Sequence, residues 1–255
     1  MRELDIRQIP VLRDNYVYLV HDAETGATGV VDPSVAAPVM TALEAAGWRL
    51  SHILNTHHHG DHTGGNLELK AKTGAIIVGP RADRDRIPGI DVAVGDGDVY
   101  RFGGHDAQIF DVPGHTSGHI AYWLPDSRAL FCGDTLFIMG CGRLFEGTAA
   151  EMWNSLGKFK ALPPETRVFC AHEYTQNNAR FALTVEPGNP DLRARARRVD
   201  ELRAQGQPTV PGTIGEELLT NPFLRADRQS LQESVGTVGD PIATLAAIRH
   251  RKDAF

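Results

Sequence analysis

The sequence predicts an α/β (α+β) chain, with a β-rich domain over residues 1–172 followed by a helical domain over residues 173–255. Three observations carry this. Short apolar runs bounded by turn residues recur as far as Ala171, with helical spacing between some of them. Several of these runs lead straight into a side chain that can ligate a metal, at His57, His115, Asp134 and His172. Beyond Thr175 the pattern becomes helical and is broken only at Pro, Gly and Asn clusters.

Taken in order, residues 6–11, 15–21 and 28–32 read as short strands, separated by turns at Asp14-Asn15 and Thr25-Gly26. Val35, Val39, Met40, Leu43 and Ala46 are near helical spacing, so a helix runs from Pro33-Ser34 to Gly47. A buried strand at 51–55 precedes the histidine cluster, a helix follows from about Gly65 to Lys72, and Ala75–Val78 is another strand. Residues 80–97 hold Pro80, Pro88, Gly89, Gly95 and Gly97 and read as a surface loop. Strands are expected near 98–102, 107–112, 119–124 and 128–132, then a Gly-rich loop over 133–147. Thr148-Ala149-Ala150-Glu151 fits a capping box for a helix that Pro163-Pro164 ends, and 167–171 is a last strand. Helices are then expected near 175–186, 190–205, 214–220, 229–235 and 240–252.

Hydrophobic residues make up 42% and charged residues 23% of the 255, enough for a sizeable core without staples. The net charge of −6 lies wholly in the first 170 residues, the remainder balancing to zero, and bulk attraction to nucleic acid is not expected. Cys132, Cys141 and Cys170 are an odd, scattered set rather than a disulfide framework, which points to a reducing, cytoplasmic setting. No signal peptide and no membrane span is expected, and no coiled-coil pattern argues against a monomer.

The densest chemistry is His57-His58-His59-Gly60-Asp61-His62. In extended backbone, residues two apart face the same way, so His57 and His59 can reach one metal while His58 points away. Gly60 then allows a sharp turn, and Asp61 and His62 face a new direction and can serve a second metal. The other donors lie in Pro113-Gly114-His115-Thr116-Ser117-Gly118-His119, in Cys132-Gly133-Asp134-Thr135 and in Cys170-Ala171-His172-Glu173-Tyr174. Singly, each reads as a turn or strand-end residue; together with the first cluster they read as a site. His21, His52, His105 and His250 are assigned no metal, while His58 and His119 are candidates for supporting the ligands.

These motifs, H-x-H-x-D-H, P-G-H-T-x-G-H, G-D-T and a late strand-end His, resemble the metallo-β-lactamase superfamily. Within it, Cys141–Thr148, His172-Glu173-Tyr174-Thr175 and the tail Ile248–Asp253 resemble the glyoxalase II (hydroxyacylglutathione hydrolase) family, over essentially the whole chain. The resemblance implies an αββα sandwich with two divalent metals, zinc first among them with iron or manganese also admitted by the nitrogen and oxygen donors. It implies one metal on His57, His59 and His115, a second on Asp61, His62 and His172, and Asp134 bridging both. It further implies that Arg143, Tyr174, Arg249 and Lys252 bind glutathione. Where some relatives carry Lys and Tyr, this chain has Arg143, which keeps the charge, and Phe145, which has no hydroxyl to donate.

The implied reaction is hydrolysis of S-D-lactoylglutathione to glutathione and D-lactate, the second step of methylglyoxal detoxification, by a metal-bridged hydroxide held through Asp61 and Asp134. A thiol of pKa about 8.5 leaves readily, so no strong general acid is required. Arg249 and Lys252, three apart on the last helix, share a face and would grip the anionic substrate. Arg193, Arg195, Arg197 and Arg198 read instead as a solvated helix face with Asp200 and Glu201 nearby. The alternative is a one-iron oxidoreductase of the same superfamily, of the persulfide dioxygenase type. A nuclease of the superfamily fits the −6 charge poorly.

Overall fold

A computed structural model describes residues 3–255, and the chain divides into two compact units. The first comprises residues up to Asp111 together with Ser117–Gly133; the second comprises Val112–Thr116 and Asp134–Phe255.

The first unit begins with β1 (Asp5–Val11), β2 (Asn15–His21) and β3 (Thr28–Val31), an antiparallel meander. Helix α1 (Ala36–Ala46) then crosses to β4 (His52–Leu54), which lies parallel to β3. Gly47, at φ 68°, closes α1 in the left-handed conformation that glycine adopts without steric cost. A single helical turn α2 (Gly60–Thr63) and helix α3 (Asn66–Thr73) lead to β5 (Ile76–Pro80), and β6 (Val92–Val94) completes a six-stranded sheet in the order β1-β2-β3-β4-β5-β6. Nearly all of β2 is buried, as expected of a strand covered on both faces. Val17, Leu19, Val30, Ile53 and Ile77 form a core with Val39 and Leu43 of α1 and Leu69 of α3.

Antiparallel strands β7 (Val99–Phe102), β8 (His105–Asp111), β9 (Ile120–Leu124) and β10 (Ala129–Gly133) line the opposite face. Tyr18 meets Phe131 at 5.6 Å between ring centroids, and the buried Tyr122 hydroxyl donates to Asn55 O (2.9 Å). These contacts join the two sheets of the unit face to face and bring β4 and β9 together beside the histidine cluster.

The second unit opens on a small hairpin, β11 (Leu136–Phe137) and β12 (Gly140–Cys141), followed by α4 (Ala149–Lys160). The capping box expected at Thr148 and Glu151 is formed in both directions. Strand β13 (Arg167–Cys170) precedes α5 (Thr175–Val185) and α6 (Pro190–Ala204), and β14 (Gly212–Thr213) pairs antiparallel with β13. Helices α7 (Ile214–Thr220), α8 (Gln229–Val235) and α9 (Pro241–Asp253) complete the chain. No helix among the described residues is long and apolar enough to cross a membrane.

Four expectations need correction. Arg195 does not lie on a solvated helix face with Asp200 and Glu201: its side chain is largely buried and pairs with Glu217 (2.6 Å). Residues 80–97 are not wholly loop: Arg81–Arg86 form a 3-10 helix, and Val92–Val94 pair parallel with Val78–Pro80. Residues 133–147 contain the β11–β12 hairpin. The turn expected at Gly60 is made, but it does not require a glycine. The chain leaves extended His59 (φ −59°, ψ 146°) directly into the helical turn α2, and a Cβ on Gly60 would meet nothing within 4 Å.

Candidate metal centre

In the first unit the donors follow β4. Asn55 and Asn66, both buried, exchange hydrogen bonds through their amides (3.2 and 2.7 Å), and Asn55 also donates to His62 O (3.1 Å). Ser34 donates to Asp61 O, and Asn15 Nδ2 donates to Asp61 Oδ2 (3.1 Å). The loop that carries the donors is therefore pinned from β2, the β3–α1 turn and α3. His57 Nε2 and His59 Nδ1 converge to 3.1 Å, and His62 Nε2 lies 3.6 Å from Asp61 Oδ2. As the spacing predicts, His58 does not join them. Its Nδ1 pairs with the buried Asp83 (2.9 Å) and its Nε2 with Arg86, which ties the cluster to the 3-10 helix.

A carboxylate that sequence reasoning missed organises this set. Asp32 accepts from Thr56 N (2.8 Å) and Thr56 Oγ1 (2.7 Å), and its Oδ2 lies 3.1 Å from His62 Nδ1. A carboxylate only accepts, so His62 carries its proton on Nδ1 and presents the Nε2 lone pair. Thr56 gives its hydroxyl proton to Asp32 and so accepts from His57 Nδ1 (3.1 Å), which leaves the His57 Nε2 lone pair facing His59. Asp32, His57 and His62 bring ligand-type atoms within 4.8 Å of one another. Both Asp32 oxygens are already engaged, so its part is to orient ligands. Its signal was available: Gly29-Val30-Val31-Asp32 also runs an apolar strand into an acid. His119 stacks on His57 at 4.5 Å and donates from Nδ1 to Ile120 O (3.0 Å), in keeping with a supporting place. Gly133, at φ 49°, leaves the room this needs, since a Cβ there would sit 2.3 Å from Thr56 Oγ1 and 2.8 Å from the His119 ring.

In the second unit Asp134 stands between two histidines. Its Oδ2 is 3.4 Å from His115 Nε2 and its Oδ1 is 3.4 Å from His172 Nε2. His115 donates from Nδ1 to Arg143 O (2.9 Å), so its Nε2 also carries a lone pair. Tyr174 stacks flat on His172 (4.7 Å, 3° between planes). His62 and His115 thus each offer an Nε2 lone pair beside a carboxylate, and in these two and His57 the other ring nitrogen is held by a backbone or side-chain acceptor. That donor chemistry suits divalent metal ions.

The remaining residues of interest are also in the second unit. Arg143 is exposed, with Nε 3.6 Å from Asp253 Oδ1. Lys252 donates to Asn177 O (3.2 Å) and lies over the Phe181 and Phe255 rings. Burial, then the nearby Arg249 and Arg143, lower its pKa to about 8. Arg249 differs from both. Only 6% exposed, it donates from Nη1 to Cys141 O (2.8 Å) and pairs with Asp253 (3.0 Å). Phe145 is 62% exposed, with its ring 5.2 Å from that of His115.

Residues 11–172 match the metallo-beta-lactamase superfamily, and residues 173–255 match the hydroxyacylglutathione hydrolase C-terminus. The chain is 62% identical over 253 residues to a hydroxyacylglutathione hydrolase of Methylococcus capsulatus, covering 99% of each chain. It is 58% identical over 256 residues to that of Rhodospirillum rubrum, covering 100% of each. Among solved structures it resembles ETHE1 from Myxococcus xanthus (TM-score 0.67, 26% identity, 98% of this chain and 99% of that one). It shares its fold with the B3 metallo-beta-lactamase BLEG-1 (TM-score 0.67, 22% identity, 86% of this chain and 99% of that one). The match of residues 173–255 disfavours the one-iron oxidoreductase. On these grounds the chain belongs to the hydroxyacylglutathione hydrolase family, the glyoxalase II branch of the metallo-beta-lactamase superfamily, and is a hydrolase of that family.

Proposed function

We propose that this chain hydrolyses S-(2-hydroxyacyl)glutathione thioesters, S-D-lactoylglutathione foremost, at one dinuclear centre. His57, His59 and His115 would hold one ion, Asp61, His62 and His172 the other, and Asp134 both. The observation that carries the reading is the pair of donor sets whose imidazole tautomers are fixed by neighbouring acceptors. Divalent ions, zinc by preference and iron or manganese otherwise, supply Lewis acidity and bring the pKa of water from 15.7 to about 7.

The chain's own residues do the rest. Asp134 presents one oxygen toward each of two histidines, an arrangement suited to a shared ligand. Arg143, Lys252 and Tyr174 face the carboxylates and backbone of glutathione, and Arg249 adds positive charge from behind them. A thiolate leaves without protonation, consistent with the ligand set needing no added general acid. Residues 1–172 serve as the catalytic part and 173–255 as the substrate-binding part of a monomeric, cytoplasmic enzyme. Purified protein carrying two equivalents of metal is expected to release glutathione from S-D-lactoylglutathione; the same sample leaving the thioester intact would overturn the reading.

Lys252 supports a pH prediction. Its protonated form attracts a carboxylate, and that form is lost as pH rises through about 8. KM is therefore expected to rise above pH 8, while Lys252→Met has a higher KM that no longer changes there. A wild-type KM that is flat from pH 7 to 9 removes Lys252 from substrate binding.

A further inference from the structure

The hairpin β11–β12 and the residues that flank it adjoin every donor of the second unit. Asp134 lies two residues before it, and Gly142, just after it, donates to Thr135 O (3.3 Å). A Cβ on Gly142 would sit 2.0 Å from Asp134 O and 3.1 Å from His115. The next residue, Arg143, supplies the carbonyl that fixes the His115 tautomer. Phe137 sets its ring edge-on to His172 at 5.8 Å. So small a hairpin is not stable alone. Met139, moreover, adopts φ 59°, a left-handed conformation unfavourable for a residue with a Cβ.

What holds the hairpin is a set of buried polar side chains from the C-terminal helices. Asn178 of α5 donates to Ile138 O (3.1 Å), and the missing side chain of Gly140 leaves it space. Asn221, just after α7, donates to Phe137 O (3.2 Å) and Gly140 O (2.9 Å). Glu217 of α7 is fully buried, accepts from Met139 N (2.8 Å) and Asn221 Nδ2 (2.9 Å), and is paired with Arg195 (2.6 Å). Arg249 of α9 donates to Cys141 O. A buried ion pair is seldom needed for stability alone. Here it buries a charged acceptor under the one strained residue of the turn.

We infer that Asn178, Glu217 and Asn221 are positioning residues for the metal ligands, acting through the hairpin on Asp134, His115 and His172. The helical tail thus shapes the metal centre as well as the substrate site. This rests on the proposed dinuclear site.

The test uses the full-length chain and the variants Asn221→Ala and Asn178→Ala. Zinc affinity is read by competition with a chromophoric chelator, cobalt(II) loading by its absorption bands, and kcat separately from KM. The expected result is a loss of zinc affinity of about tenfold or more, the usual effect of removing support behind a ligand. Altered cobalt bands and a fall in kcat with KM little changed accompany it. Folded variants with wild-type zinc affinity and cobalt bands overturn the inference, even if they melt at lower temperature. Asn178 makes a single such bond, so Asn178→Ala decides the matter if Asn221→Ala does not fold. Failure of the thioesterase reading is distinct: there the wild-type protein binds metal and hydrolyses nothing.

Discussion

Asp134→Ala is expected to abolish turnover. Asp134 is buried, and each of its oxygens lies 3.4 Å from a different histidine. Its removal takes one negative charge from a site proposed to hold two dications and leaves His115 and His172 without a common partner. A site that no longer holds both metals loses the acidification of water, so kcat/KM should fall on the order of 10³-fold or more. Asp134→Asn, which keeps the shape and loses the charge, should do nearly the same. Metal analysis with steady-state hydrolysis of S-D-lactoylglutathione checks this, and a tenth of wild-type activity retained in either variant would remove Asp134 from the shared position.

The second large effect is expected at a residue that ligates nothing. In Asp32→Asn one oxygen becomes an amide N–H donor. Whichever way the amide turns, it faces a donor: Thr56 N–H on one side, or the Thr56 hydroxyl and His62 Nδ1–H on the other. With the amide toward His62, the imidazole keeps a partner only by moving its proton to Nε2, and the lone pair meant for a metal is lost. Thr56 is also disturbed, and with it the hold on His57 Nδ1. Metal affinity should fall about 10- to 100-fold. Urea denaturation of the metal-free protein should register a loss of about 2 kcal/mol for the unsatisfied buried donor. Wild-type affinity in Asp32→Asn would mean that the tautomers are set elsewhere.

The strands that carry donors were legible because each is an apolar run that stops at a polar residue, as Phe131-Cys132-Gly133 does before Asp134. The tail helices were legible from their spacing and from breaks such as Asn221-Pro222. β6, β11, β12 and β14 were not, because two or three residues are too few for an alternation to register. Asp32 could have been found by the rule that found Asp134. The support of the hairpin could not, since its side chains reach backbone 40, 78, 84 and 108 residues away, separations that leave no local pattern. Arg249 shows the same limit: its spacing from Lys252 places both on one helix face but does not reveal that it is buried.

The placement of the three cysteines has a consequence for redox chemistry. All are buried, and burial pushes the thiols of Cys141 and Cys170 up to about 11 and 12. Only the thiolate attacks a disulfide, and at pH 7 a thiol of pKa 11 is ionised to about one part in 10⁴. An enzyme that liberates a free thiol at every turnover works beside a pool whose disulfide form a protein thiolate could attack. Cys141 and Cys170 are shielded and held as thiols, which makes them poor nucleophiles toward that disulfide.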